Sequence, residues 1–260
     1  MAKSNYSLYT FFRRMVPESV QQALGGSRLL APARNTLLRP TGEPEIAEGE
    51  IEWEDLRFQF CAPYRVFYKA KEKGVENIIC RLARSVLQPG DTAVDVGANY
   101  GFVTTVMAFS VAPGGRLYSF EIDPGVAAVV ATTIELNRLG SVVTLIDQGA
   151  GPDVAGNIVT VDSIVDPATR VRFLKIDTDG ADLGVLQGAT RILNTDHPVV
   201  VVEMHEDPQA IYTLLQESGY THFTHLSGDT VTPGAWPANL IASIEPVTIP
   251  EKGSFVSRQT

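Results

Sequence analysis

Four acids close four short apolar runs: Asp95 after Thr92-Ala93-Val94, Glu121 after Leu117-Tyr118-Ser119-Phe120, Asp177 after Phe173-Leu174-Lys175-Ile176, and Glu203 after Val199-Val200-Val201-Val202. A carboxylate at such a position accepts hydrogen bonds, holds a cation, or takes a proton from a reacting group. Where strands alternate with helices, ligands bind beyond the carboxyl ends of the strands. The four acids therefore mark the expected site.

The first run leads into a turn, Asp95-Val96-Gly97-Ala98-Asn99-Tyr100-Gly101, and then into Phe102-Val103-Thr104-Thr105-Val106-Met107-Ala108, which has helical promise. Strand, glycine turn and helix open a nucleotide-binding βαβ unit. The glycines allow a sharp bend and a close approach to a ligand, and the start of the helix offers unpaired N–H groups. The spacing is D-x-G-x-x-x-G, not the dinucleotide G-x-G-x-x-G. Glu121 lies 20 positions after Gly101, where an acid accepts hydrogen bonds from both hydroxyls of a ribose. Asp123-Pro124 then starts a helix, with Asp123 as N-cap, running to about residue 139 and stopping at Gly140.

The elements that position these residues alternate. Residues 49–68 read as short strands or irregular structure around Trp53, Phe58 and Phe60, followed by a helix over 75–87. Further strands are expected at 142–146, 171–177, 198–203, 221–224 and 239–244, with helices over 181–193 and 209–218. Residues 158–164 read as a strand or an irregular piece holding Asp162. The pattern predicts an α/β fold with a doubly wound, mostly parallel sheet. Asp179 reads as the N-cap of the helix over 181–193. Lys175 shares a sheet face with Phe173 and needs a partner there.

The first 45 residues differ in kind. They carry Lys3, Arg13, Arg14, Arg28, Arg34 and Arg39 and few acids. Leu8, Phe11, Phe12, Met15 and Val16 have the spacing of an amphipathic helix, closed by Pro17. Three readings of this N-terminal helical arm stay open: it packs on the main domain or a partner subunit, rests on an anionic membrane surface, or serves as a transit peptide. The expected division is an arm over 1–45, a main domain over 46–250 and a tail over 251–260.

A formal net charge of −9 over 260 residues disfavours a nucleic-acid backbone as partner. Cys61 and Cys80 are too few for a metal or disulfide framework and are expected to pack as small apolar residues. No run reaches the roughly 18 apolar residues of a membrane span, and a signal-peptide core is missing, so a cytoplasmic location is expected.

Asp95-Val96-Gly97-Ala98-Asn99-Tyr100-Gly101 together with Phe173-Leu174-Lys175-Ile176-Asp177-Thr178-Asp179-Gly180-Ala181-Asp182 and Val185-Leu186-Gln187-Gly188-Ala189 resembles the FkbM family of S-adenosylmethionine-dependent methyltransferases. Thr160-Val161-Asp162-Ser163, the 198–203 run, Gly219-Tyr220 and Asn239-Leu240-Ile241-Ala242 fit the same resemblance, which covers about residues 50–245. Two departures stand out. Asp179 and Asp182 replace the family's usual glutamates, and residues 137–162 are short for the family.

The resemblance implies a Rossmann-like class I methyltransferase that transfers a methyl group from S-adenosylmethionine to a hydroxyl of a sugar or natural product. Gly97, Ala98, Asn99 and Gly101 would line the methionine portion, Asp95 would orient the turn or contact the amino group, and Glu121 would hold the ribose with Ile122 beside it. Asp177 is the first candidate for substrate contact or general base. It competes with a structural role tying down the following turn. His205 and Glu203 are further candidates for the catalytic machinery. The carboxylates at adjacent strand ends could also bind a divalent cation, although the ligand set is thin. The acceptor is expected to be a small molecule or glycan. Two other classes share the scaffold: an NAD-dependent oxidoreductase, weakened by the missing G-x-G-x-x-G, and a non-catalytic cofactor-binding protein.

Overall fold

The computed structural model describes residues 45–255, and the N-terminal arm with its predicted helix lies outside them. The described chain opens with the strands β1 (Ile46–Trp53) and β2 (Leu56–Pro63) and the helices α1 (Tyr64–Lys73) and α2 (Asn77–Val86). It continues through β3 (Thr92–Val96), α3 (Phe102–Val111), β4 (Arg116–Phe120), α4 (Pro124–Leu136) and β5 (Val143–Ile146). After the short β6 (Gly149–Ala150), β7 (Ile158–Val159) and α5 (Val161–Ile164) come β8 (Val171–Ile176), α6 (Asp182–Gln187), α7 (Thr190–Thr195) and β9 (Val199–Glu203). Helix α8 (Pro208–Glu217) and the strands β10 (His222–His225) and β11 (Asn239–Ser243) end the order.

Seven strands form the central sheet in the order β10-β11-β9-β8-β3-β4-β5. The pairs β5–β4, β4–β3, β3–β8 and β8–β9 are parallel, and β11 runs antiparallel to both β9 and β10. From β3 the chain steps outward to β4 and β5, then returns to place β8 and β9 on the other side. The order therefore reverses between β3 and β8, where a doubly wound sheet opens its binding crevice. This is the doubly wound, mostly parallel architecture that the sequence predicts.

Period-2 alternation divides the strand side chains between two cores. Ala93, Leu117, Phe173, Val201 and Ile241 join the cluster that holds α2, α3, α4 and the β1–β2 hairpin. Val94, Phe120, Leu174, Ile176, Val200 and Val202 join the cluster under α6, α7 and α8. Helix α3 is apolar nearly all round, so it must be buried on every side. The hairpin covers its outer face. The rings of Phe58, Phe60 and Trp53 stand edge-on to Phe102 at centroid distances of 5.4, 5.6 and 6.3 Å. Each fully buried side chain of this size contributes roughly 1.5–3 kcal/mol.

Polar ties fix the hairpin. The Asn137 amide accepts from Gln59 N at 2.9 Å and donates to Gln59 O at 2.6 Å, so the end of α4 satisfies the backbone of β2. The tail straps the other side: Gly253 N donates to Glu54 Oε2 at 2.9 Å, and Arg81 bridges Glu54 at 3.3 Å and the Pro250 carbonyl at 3.0 Å. Cys61 and Cys80 are both buried and free, packing as small apolar residues.

Several local expectations change. Residues 64–73 form α1, because Tyr64 and Tyr68 sit one helical turn apart with their rings 4.5 Å from each other. Helix α4 does have Asp123 as its cap, accepting from Gly125 N and Val126 N, but it ends at Leu136. There Arg138 takes a left-handed φ of 56°, a role expected of Gly140. The helix expected over 181–193 is broken at Gly188 into α6 and α7. A Cβ on Gly188 would lie 2.0 Å from the Gly151 carbonyl. Asp162, in the one-turn helix α5, caps the second piece by accepting from Arg191 N at 2.6 Å and Ile192 N at 3.2 Å. Asp179 does not cap α6. It has a φ of 53°, and Asp182 at the first helical position turns its Oδ1 back to Thr178 N and Oγ1 at 3.0 and 2.8 Å.

Gly97 joins the two halves of the sheet. Its φ is 82°, and an added Cβ would stand 1.8 Å from the Asp177 carbonyl. Gly90 has a comparable φ of 94° with nothing within 4 Å of its missing Cβ. Gly90→Ala should therefore cost only the conformational strain, roughly 1–2 kcal/mol. Gly97→Ala should lose roughly 1–3 kcal/mol more through the backbone collision. Denaturant midpoints of the two variants check this; equal losses would contradict the close approach.

Candidate functional site

Beyond the carboxyl end of β3, the glycine turn folds back on itself. Gly97 N and Ala98 N both donate to the Phe120 carbonyl at 3.0 and 2.9 Å, and Gly101 N donates to Ala98 O at 2.9 Å. Asn99 N donates to Glu121 Oε2 at 2.8 Å, while Glu121 Oε1 accepts from Asp123 N at 2.9 Å. These four turn amides are thus consumed internally, unlike the open cradle that a phosphate requires. Each Glu121 oxygen keeps acceptor capacity for a further donor. Ile122, beside it, is 53% exposed, an apolar surface next to a hydrogen-bonding acid.

Across the switch point lies Lys175, buried to 2% exposure on the sheet face it shares with Phe173. Its partners are three carboxylates: Asp95 Oδ1 at 3.4 Å, Asp177 Oδ2 at 3.5 Å and Glu76 Oε2 at 3.8 Å. It also donates to the Gly97 carbonyl at 3.2 Å. Burial pulls the lysine down, but Asp95, Glu76 and Asp177 outweigh it and hold the ammonium above the usual lysine range. Asp95 is wholly enclosed, with Oδ2 accepting from Thr104 Oγ1 at 2.6 Å. Its position fits orientation of the turn; a ligand has no path to it.

The parallel register of β8 and β9 brings Asp177 and Glu203 together as hydrogen-bonded neighbours. Burial pushes Asp177 up, yet Lys175 and the hydrogen bonds from Glu203 and Lys175 hold it below the ordinary aspartate value. Glu203 moves the other way. Burial, its hydrogen bond to Asp177 and the Asp177 charge push it up to about 8. His205 Nδ1 lies 3.0 Å from Glu203 Oε2, and the imidazole is half exposed. The structure therefore brings together Asp177, Glu203 and His205 on one side of the crevice, and Gly97, Ala98, Asn99, Gly101, Glu121 and Ile122 on the other.

Three residues at this end of the sheet escaped the sequence reading. Glu76 comes from the start of α2. Tyr100 sits beside Asp123 and Glu121, whose charges add to burial in pushing its phenol up. Asp147 follows β5, next to the strand whose Ile146 carbonyl accepts from Glu121 N at 3.0 Å. Asp147 was legible as one more acid closing an apolar run. Among the described residues no group of three or more His, Cys, Asp or Glu side chains is arranged to hold a metal ion. A separate open cleft, lined by Gln88, Asp91, Thr169, Arg170 and Arg172, lies at the amino ends of β3 and β8, away from these acids.

The family model described as the methyltransferase FkbM domain matches residues 154–221. No curated protein matches the chain. Among solved structures, a methyltransferase FkbM from Methylobacillus flagellatus KT is 21% identical with a TM-score of 0.46, covering 59% of this chain; this chain spans only 43% of that one. A precorrin-6y C5,15-methyltransferase from Geobacter metallireducens GS-15 is 18% identical with a TM-score of 0.46, covering 74% of this chain and 96% of its own. Fibrillarin from Aeropyrum pernix, solved with natively bound S-adenosyl-L-methionine, is 16% identical with a TM-score of 0.44, covering 78% and 85%. The stretch similar to the methyltransferase FkbM domain, residues 154–221, contains both Asp177 and Glu203.

Proposed function

We propose that the chain is an S-adenosylmethionine-dependent methyltransferase acting on a hydroxyl of a sugar or natural product. The observation that carries the cofactor is the glycine turn, whose Gly97, Ala98, Asn99 and Gly101 amides are already spent and which is ringed by Glu121, Asp177 and Glu76. Such surroundings repel a pyrophosphate and suit a cation. When bound, the cofactor's sulfonium supplies the methyl group. Glu121 would hold the ribose hydroxyls on its remaining lone pairs, and Ile122 would offer its apolar surface to the base.

The acceptor side must manage one proton. Asp177, held ionised by Lys175, is a weak base suited to orienting the acceptor hydroxyl. Glu203 is better matched to take the proton, because a base is most useful when its pKa lies near working pH. As the acceptor oxygen gains the methyl group, its proton passes to Glu203 and on through His205 to solvent.

Calorimetry is expected to show binding of S-adenosylhomocysteine and none of NAD; the reverse would overturn the cofactor assignment. Labelled-methyl transfer to pools of neutral glycans and polyols should then give ether products, and label found only on nitrogen would refute hydroxyl specificity.

The proton-sharing pair also fixes a pH dependence. Below about 8 the pair carries its proton and cannot take another; above it, Glu203 is ready. The transfer rate should therefore rise as pH passes through that value. Glu203→Gln should lower the rate by roughly 10²–10⁴ and remove this limb. Asp177→Asn removes the charge that raises Glu203, so the limb should move to lower pH with cofactor affinity little changed. A limb unmoved in both variants would place the base elsewhere.

A further inference from the structure

Lys175 is outnumbered. Glu76, Asp95 and Asp177 share its one positive charge, and its three N–H groups include one committed to the Gly97 carbonyl. Two carboxylate oxygens around it, Asp95 Oδ1 and Glu76 Oε2, are closed to solvent and receive no hydrogen bond. A buried carboxylate oxygen without a hydrogen bond is costly, and one ammonium does not neutralise three acids, so a second cation would relieve the cluster.

Of the two under-partnered acids, only Glu76 can meet one. Asp95 is fully enclosed, whereas the Glu76 side chain, with its Oε2 turned inward to Lys175, keeps 31% of its surface exposed, and that exposed part is what a ligand can meet. Its backbone is held at φ 45°, a left-handed conformation that disfavours an L side chain, and the carboxylate caps no amide of the helix it precedes. Neither feature serves α2. Both serve to bring the carboxylate to the ammonium that also binds the glycine turn.

We propose that Glu76 accepts a hydrogen bond from the α-ammonium of the cofactor's methionyl end. This rests on the cofactor reading above. The α-ammonium supplies the missing positive charge, and the cofactor is held by an acid at each end: Glu121 at the ribose and Glu76 at the amino acid. Burial pushes the Glu76 carboxyl up, with Lys175 and Lys69 pulling down against the further push of Asp177 and Asp95. An arriving cation relieves that state. Glu76 lies outside residues 154–221, so the recognised domain stretch does not contain this contact.

The test compares two ligands. S-adenosylhomocysteine carries the α-ammonium; 5′-methylthioadenosine has the same nucleoside and thioether but lacks the amino-acid end. In the full-length chain, Glu76→Gln should weaken S-adenosylhomocysteine by about tenfold to a hundredfold, the range for a lost charge-assisted hydrogen bond. Binding of 5′-methylthioadenosine should stay within about twofold, showing an intact nucleoside site. Glu76→Asp should fall between Gln and the natural residue for the first ligand alone. Equal loss of both ligands would make Glu76 a purely structural residue, and loss of neither would remove it from the site; each overturns the proposal. Failure of the unmodified chain to bind either ligand would instead strike the cofactor reading itself.

Discussion

One buried lysine holds this site together. Lys175 stands on the face of β8 that looks toward α2 and α3, where a charge is tolerated only if it is paired. Its ion pairs reach β3 through Asp95, the segment before α2 through Glu76 and its own strand end through Asp177, and its hydrogen bond reaches the glycine turn through Gly97. Removing it would leave three carboxylates unopposed at the switch point. The same contacts set the electrostatics of the strand ends: Lys175 holds Asp177 below the ordinary aspartate value, and the Asp177 charge helps push Glu203 up. The packing around Lys175 and the opposite shifts of Asp177 and Glu203 thus share one electrostatic origin.

The sheet was legible because its signals are local. Each parallel strand is a short apolar run closed by an acid or a turn, and the D-x-G-x-x-x-G turn announces β3 by itself. Asp177 and Glu203 could be paired from the doubly wound rule alone, which sets the ends of adjacent strands side by side. Their opposite shifts could not be read, since these depend on Lys175 and on burial. Lys175 itself was marked as needing a partner, but nothing near it in the chain names Glu76, a contact made across most of the first half of the domain.

Helix limits failed where tertiary contacts overrode pattern. Residues 181–193 have a continuous helical rhythm, yet the Gly188–Gly151 approach and the Asp162 cap divide them. The Tyr64, Phe67 and Tyr68 aromatics favour a strand by propensity, and their helical spacing prevails because Phe67 packs on Phe60 of the hairpin. Asp179 looked like a cap because it precedes the helix, but the left-handed Asp179-Gly180 pair turns the chain before the helix begins. The family match, residues 154–221, contains Asp177 and Glu203, while the glycine turn, Glu121 and Glu76 precede it. The stretch with the family likeness thus holds the acids of β8 and β9, and the acids and turn around β3 and β4 follow the general logic of the doubly wound sheet.

A crystal structure of the chain with S-adenosylhomocysteine tests the central claim most directly, that the crevice between β3 and β8 is a cofactor site. The ribose hydroxyls are expected on Glu121, the base against Ile122 and the amino-acid end at the Gly97 turn. Ligand density at the amino ends of the strands, by Arg170 and Arg172, with the Glu121 side empty, would contradict it.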